Sequence, residues 1–122
     1  LNDSITVFPS GAYVNDQNSR DLDNAYAAGV HLVLNITASG VNGSNVSFIV
    51  EGKAEHSETY YTILQSAALT LNGPTVIKIY PGLAASANVS VNDHLPRIWR
   101  VRADHSSSTD AINYSVDGSY LT

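Results

Sequence analysis

Between residues 59 and 120 apolar and polar side chains alternate along most of the chain, and turn-forming residues break the alternation about every ten residues. A strand returns to the same face on every second residue, so this period of two dictates half-buried strands joined by tight connections. The clearest instance lies upstream. Val30, Leu32, Leu34, Ile36 and Ala38 fall on one side, and His31, Val33, Asn35 and Thr37 on the other. Asn-Gly within residues 40–45 predicts a hairpin turn. Val46, Phe48, Val50 and Ala54 then continue the inward face, with Ser47, Glu51 and Lys53 outside. Strands follow at residues 59–65 and 76–80, separated by Asn72-Gly73-Pro74 and closed by Pro81-Gly82. Past Pro96, the inward set is Trp99, Val101 and Ala103, leaving Ile98, Arg100 and Arg102 outside. Ile112, Tyr114 and Val116 make the last inward face, with Tyr120 and Leu121 beyond Gly118. The expected fold is all-β: an antiparallel two-sheet sandwich of immunoglobulin-like or jelly-roll type, with seven to nine strands. At most one helical turn fits, in residues 83–95.

A chain of 122 residues suits one domain and can bury roughly two-thirds of its unfolded surface. Residues 1–14 read as an N-terminal arm or edge strand, in which Ile5, Val7 and Phe8 precede Pro9 and Tyr13 follows. Residues 15–122 form the sandwich, beginning with a polar loop at residues 15–24. Charged residues make up only 14% of the chain, and the net charge is −5 with six basic residues. That balance argues against a nucleic-acid partner, which needs clustered Lys and Arg. Cysteine is absent, which excludes disulfides and thiolate chemistry. No apolar run reaches the length of a transmembrane helix, so no membrane partner is expected. Methionine is absent too, and the expectation is that a short N-terminal piece was cleaved or not included.

The ionisable residues form no reactive pattern. His31, His56, His94 and His105 stand at unrelated spacings, without the paired spacing and supporting carboxylate of a metal site. Asp21, Asp23 and Asn24 match only a fragment of a calcium loop. Glu51 and Glu55 share a strand face about 13 Å apart, too far for paired-carboxylate chemistry, and read as solvated charges. No catalytic residue, metal ligand or cofactor is expected. Asn-x-Ser/Thr triplets at Asn2, Asn35, Asn42, Asn45, Asn88 and Asn113 follow from a composition rich in Asn, Ser and Thr. Trp99, Phe48 and Tyr114 lie on inward phases and read as core. Tyr60 or Tyr61, Tyr80 and Tyr120 read as outward-facing aromatics fit for a protein or sugar contact. Arg100 and Arg102 form the basic cluster, either guarding a strand edge or meeting an acidic partner.

In combination, VHLVLNITA from Val30, the V-x-G-K strand leading into YYT, PGL-x-A-x-A-N, and LPRIWRVR with a final hairpin resemble a family of small β-sandwich proteins. That family is encoded in tailed-bacteriophage structural gene clusters, and the resemblance spans residues 30–120. It implies a non-enzymatic virion structural protein, foremost a head decoration or cement protein on the capsid exterior, made in the host cytoplasm. Its implied partners are the major capsid protein and copies of itself, as in a trimer. A tail-associated structural or receptor-binding module, or a carbohydrate-binding module, is the alternative. The expected contacts are Ile5, Val7, Phe8 and Tyr13, with docking by strand addition, and Arg100 and Arg102.

Overall fold

In chain order the strands are β1 (Ser4–Tyr13), β2 (Gln17–Asn18), β3 (Leu22–Asp23), β4 (Gly29–Ala38), β5 (Val46–Ala54), β6 (Thr59–Gln65), β7 (Gly73–Ile79), β8 (Ser90–Val91), β9 (Ile98–His105) and β10 (Ile112–Leu121). The computed structural model describes residues 3–70 and 72–122, and no helix occurs among them. One sheet has the order β1-β10-β4-β7-β8; the other runs β2-β9-β5-β6, with β3 also paired to β9. Every pairing is antiparallel except the short β7–β8 contact. The chain is therefore an antiparallel two-sheet sandwich. Its last strand lies between β1 and β4, in the sheet opposite β9. An immunoglobulin order would keep the last strand beside its predecessor, so that topology is not followed.

The inward phases of β4, β9 and β10 follow the sequence alternation, and the core forms between them. Trp99, Tyr114, Phe48, Leu32 and Leu34 are its large, fully buried members. Tyr114 stands at the aromatic centre, with Tyr13 stacked on it at 4.5 Å and Phe48 edge-on at 5.0 Å. Trp99 meets Tyr120 edge-on at 6.0 Å and donates its indole N–H to the Tyr120 hydroxyl at 3.3 Å. Tyr120 is therefore a core residue and not an outward aromatic, because its phase continues through Gly118 from Ile112, Tyr114 and Val116.

Two stretches depart from the sequence pattern. In β1, register shifts between Thr6 and Phe8 and between Phe8 and Gly11 turn Val7 and Phe8 both inward, where they are buried. One inserted residue is enough to shift the phase of a strand. Residues 15–24 are not a free loop either. Leu22 is buried, and the Ser19 hydroxyl accepts the Val101 N–H while the Ser19 N–H donates to the Val101 carbonyl. Asn24 holds the Ala27 N–H and the Ala27 and Leu95 carbonyls. Polar side chains here satisfy the backbone, Ser19 at Val101 of β9 and Asn24 at Ala27 and Leu95 in the connections, which hydrophobic periodicity does not register. At the strand end, Ala54 runs past the core and is exposed.

The β4–β5 turn is tied from across the molecule. Asp110, itself buried, accepts the backbone N–H groups of Asn42 at 3.1 Å and Ser44 at 3.2 Å with one carboxylate oxygen. A Cβ on Gly40 would run into that carboxylate and the Ser44 hydroxyl, so only glycine lets the turn approach so closely. The Ser44 hydroxyl and these N–H groups hold the Asp110 carboxyl below its ordinary range.

Candidate functional site

Antiparallel pairing of β5 with β9 sets Glu51 opposite Arg100, and the outward phase places both on the outer face of the second sheet. Arg100 reaches a Glu51 oxygen at 2.9 Å, and Arg102 approaches the other at 3.5 Å. Glu51 is 7% exposed: a buried, doubly paired carboxylate and not the solvated strand charge expected from sequence. Its shielding comes from long neighbours on both flanking strands. Beside it Ile49 is likewise buried outside the core cluster, between its register partners Gln65 and Arg102.

The Arg100 guanidinium lies 3.5 Å over the centre of the Tyr60 ring. The Tyr60 hydroxyl donates to Asp21 at 2.7 Å, and Lys53 pairs with the other oxygen of Asp21 at 3.0 Å. The Tyr60 hydroxyl and then the Lys53 ammonium hold the Asp21 carboxyl below its ordinary value, and Asp21 in turn raises Lys53. A continuous chain therefore crosses the face: Arg102, Glu51, Arg100, Tyr60, Asp21 and Lys53. Arg100 and Arg102, expected as contacts for an acidic partner, are engaged within the protein. Asp21, Glu51 and Tyr60 were missed as partners. The signal that could have found them is a carboxylate on β5 in register with the arginines of β9.

The remaining expected contacts gather at β1, which forms one edge of the first sheet. Val7 and Phe8 belong to the core and cannot serve a partner; Ile5 and Tyr13 pack against it, partly buried. The Tyr120 N–H donates to the Asp3 carbonyl, so the alternate residues Ser4 and Thr6 point their backbone at the free edge. There Arg20 donates to the Thr6 carbonyl at 3.4 Å, and the Tyr13 hydroxyl donates to the Pro9 carbonyl. With two register shifts, Pro9 and these internal donors, β1 is poorly suited to accept another strand. Strand addition through Ile5, Val7 and Phe8 gives way accordingly.

The other edges differ. β8, β2 and β3 are two residues each, whereas β6 presents seven residues with one register shift and no charged side chain. The Ser66 N–H donates to the Phe48 carbonyl. Phe48–Ser66 and Val50–Leu64 are then bonded pairs, and Gln65 between them turns its N–H and carbonyl away from β5. Tyr61, 47% exposed, lies against Gly52 and Pro96, where a Cβ on Gly52 would strike its ring.

At one end of the sandwich, His105 Nε2 lies 2.8 Å from the Tyr114 hydroxyl, and the His105 N–H donates to Asp16 at 2.7 Å. A polar depression of about 420 Å³ adjoins them, lined by Asn15, Asp16 and Ser106 to Ser108. Burial pushes the Tyr114 phenol up, so it keeps its proton. The His105 Nδ1 is buried without a partner among the described residues. Burial lowers His105 below its ordinary 6.5, with Asp16 and Asp104 opposing. His31 is lowered in the same direction by burial and by Lys78.

A folded-state value below the unfolded one means the unfolded chain binds protons first, so stability rises with pH between the two values. Stability is expected to be complete above pH 6.5 and to fall as pH drops towards the folded-state values of His105 and His31. A second loss begins below pH 3.8, where Asp110 and Asp21 protonate. Urea midpoints across pH check this. His105→Gln is expected to lower the midpoint at neutral pH while flattening the first slope.

No family model matches the chain, and no curated protein matches it. The class defined by fold and site is a two-sheet antiparallel β-sandwich with a self-paired charged face and a long uncharged free edge at β6.

Proposed function

We propose that this protein is a non-enzymatic structural component of a phage virion, a head decoration protein that binds the capsid exterior through the free edge of β6. The resemblance of residues 30–120 to virion sandwich proteins supplies the setting. The observation that carries the reading of the contact is the contrast between edges: β1 is blunted and internally capped, while β6 offers an uncharged seven-residue strand. Strand addition supplies main-chain hydrogen bonds without requiring a pocket, and repetition over a lattice multiplies a modest contact. A stiff interior helps, because little ordering cost is incurred on docking.

A carbohydrate platform is less well supported. The exposed aromatics Tyr26 and Tyr61 form no row: Tyr26 lies in the β3–β4 connection with its hydroxyl on Asp3 before β1, and Tyr61 lies on β6.

The test is co-sedimentation of the purified protein with phage heads lacking their outer proteins and, separately, with tails. Gln65→Pro removes an edge N–H that β5 does not use, so this variant is expected to stay folded. Retention by heads, lost at least tenfold in Gln65→Pro with an unchanged urea midpoint, supports the reading. Retention by tails alone overturns the head assignment, and full binding by Gln65→Pro overturns the β6 contact.

A further inference from the structure

The chain has two Asn-Gly pairs, and the fold treats them differently. Asn72–Gly73 is held: the Asn72 side-chain oxygen accepts the Ser39 N–H at 2.8 Å, and Gly73 is already in β7, opposite Ile36. Asn42–Gly43 lies in the β4–β5 turn, outside both strands. Asn42 is exposed, and its side chain makes no hydrogen bond among the described residues. Gly43 has a φ of +75° and open space where a Cβ would stand, a freedom it shares with Gly73, so the difference between the pairs lies in the asparagine side chains. The Gly43 N–H is engaged only by the Gly40 carbonyl at 3.1 Å, within a turn that must open a little for it to react.

We propose that Asn42 is a self-modification site, at which the turn converts to aspartate and isoaspartate while Asn72 is protected. The Gly43 backbone nitrogen gives up its proton and bonds to the Asn42 side-chain carbonyl carbon. The bond from that carbon to Nδ2 breaks, and ammonia leaves with the proton. Water then opens the resulting five-membered imide at either carbonyl. Opening at one carbonyl yields aspartate with the main chain unaltered. Opening at the other sends the main chain through the former side chain, adding one backbone atom between residues 42 and 43.

The position of that extra atom gives the site its consequence. Asp110 gathers the Asn42 N–H and the Ser44 N–H on a single oxygen, and the altered linkage lies between those two donors. Isoaspartate lengthens the span the carboxylate bridges, so at least one donor leaves. Asp110 is buried, so a donor it loses is not replaced by bulk water. The plain aspartate product keeps the span and is expected to be nearly silent. Ageing at this turn therefore loosens the tie between the β4–β5 connection and the loop before β10 only through the isoaspartate branch.

The experiment is peptide mapping by mass spectrometry, with isoaspartate detection, on intact protein held at mildly alkaline pH and on the same protein held in urea. The expected result is conversion at Asn42 at least tenfold faster than at Asn72 in the folded protein, with the two rates converging in urea. Equal rates in the folded protein, or a faster Asn72, overturn the proposal. So does a difference that persists unchanged in urea, since local sequence and not the fold would then be the cause. The isoaspartate fraction is expected to unfold at lower urea than Asn42→Asp, which should match the parent protein. Matching midpoints for both products would overturn the role given to the Asp110 span.

Discussion

Trp99→Ala is expected to cost about 3–5 kcal/mol of folding stability, measured by urea unfolding at neutral pH. The side chain is fully buried between the sheets, so little can collapse into the space it leaves. Its removal also takes the indole N–H from the Tyr120 hydroxyl, whose remaining contact is with the Asp23 carbonyl at 3.5 Å. A domain of this size is stable by roughly 5–15 kcal/mol, so the variant loses a large share and melts about 10–25 °C lower. Trp99→Phe keeps a ring against Tyr120 and is expected to recover most of the loss. A cost below about 1 kcal/mol for Trp99→Ala would mean that the two sheets do not close on this residue.

Glu51→Ala is expected to destabilise by about 2–3 kcal/mol, because Arg100 would be left largely buried over Tyr60 with no carboxylate. Arg102 is more exposed and can turn to water, so it adds little. A double-mutant cycle with Arg100→Ala isolates the pair. The double variant should fall short of the summed single losses by about 1–2 kcal/mol. This coupling should persist in high salt, since the pair is shielded from solvent ions. Additive losses, or coupling abolished by salt, would mark the pair as an ordinary surface contact.

How much of this molecule the chain declared in advance depends on what each feature needs. β4, β9 and β10 were legible because each has one face on the core and one on solvent, and the period of two holds through residues 30–36, 99–103 and 112–120. At the end of β4 a register shift breaks it, and Ala38, expected inward, is exposed. Which way β1 faces was not legible, since its register shifts put Val7 and Phe8 on the same side and no residue pattern announces an inserted position. Residues 15–24 read as a polar loop because Ser19 and Asn24 act on backbone groups and not through apolar area. The role of Glu51 waited on register: an acid on one strand and arginines on another are unrelated until pairing sets them opposite. Edge identity is harder still. Nothing within Thr59–Gln65 says that no strand follows it in the sheet; only the topology does.

The most direct test of the adhesive account is electron cryo-microscopy of phage heads stripped of their outer proteins and incubated with this protein. The account predicts ordered density at repeating positions on the capsid surface, fitted by the sandwich with β6 against a strand or extended segment of its neighbour. Bare heads under saturating protein, or density that seats the molecule by β1 with β6 facing solvent, would contradict it.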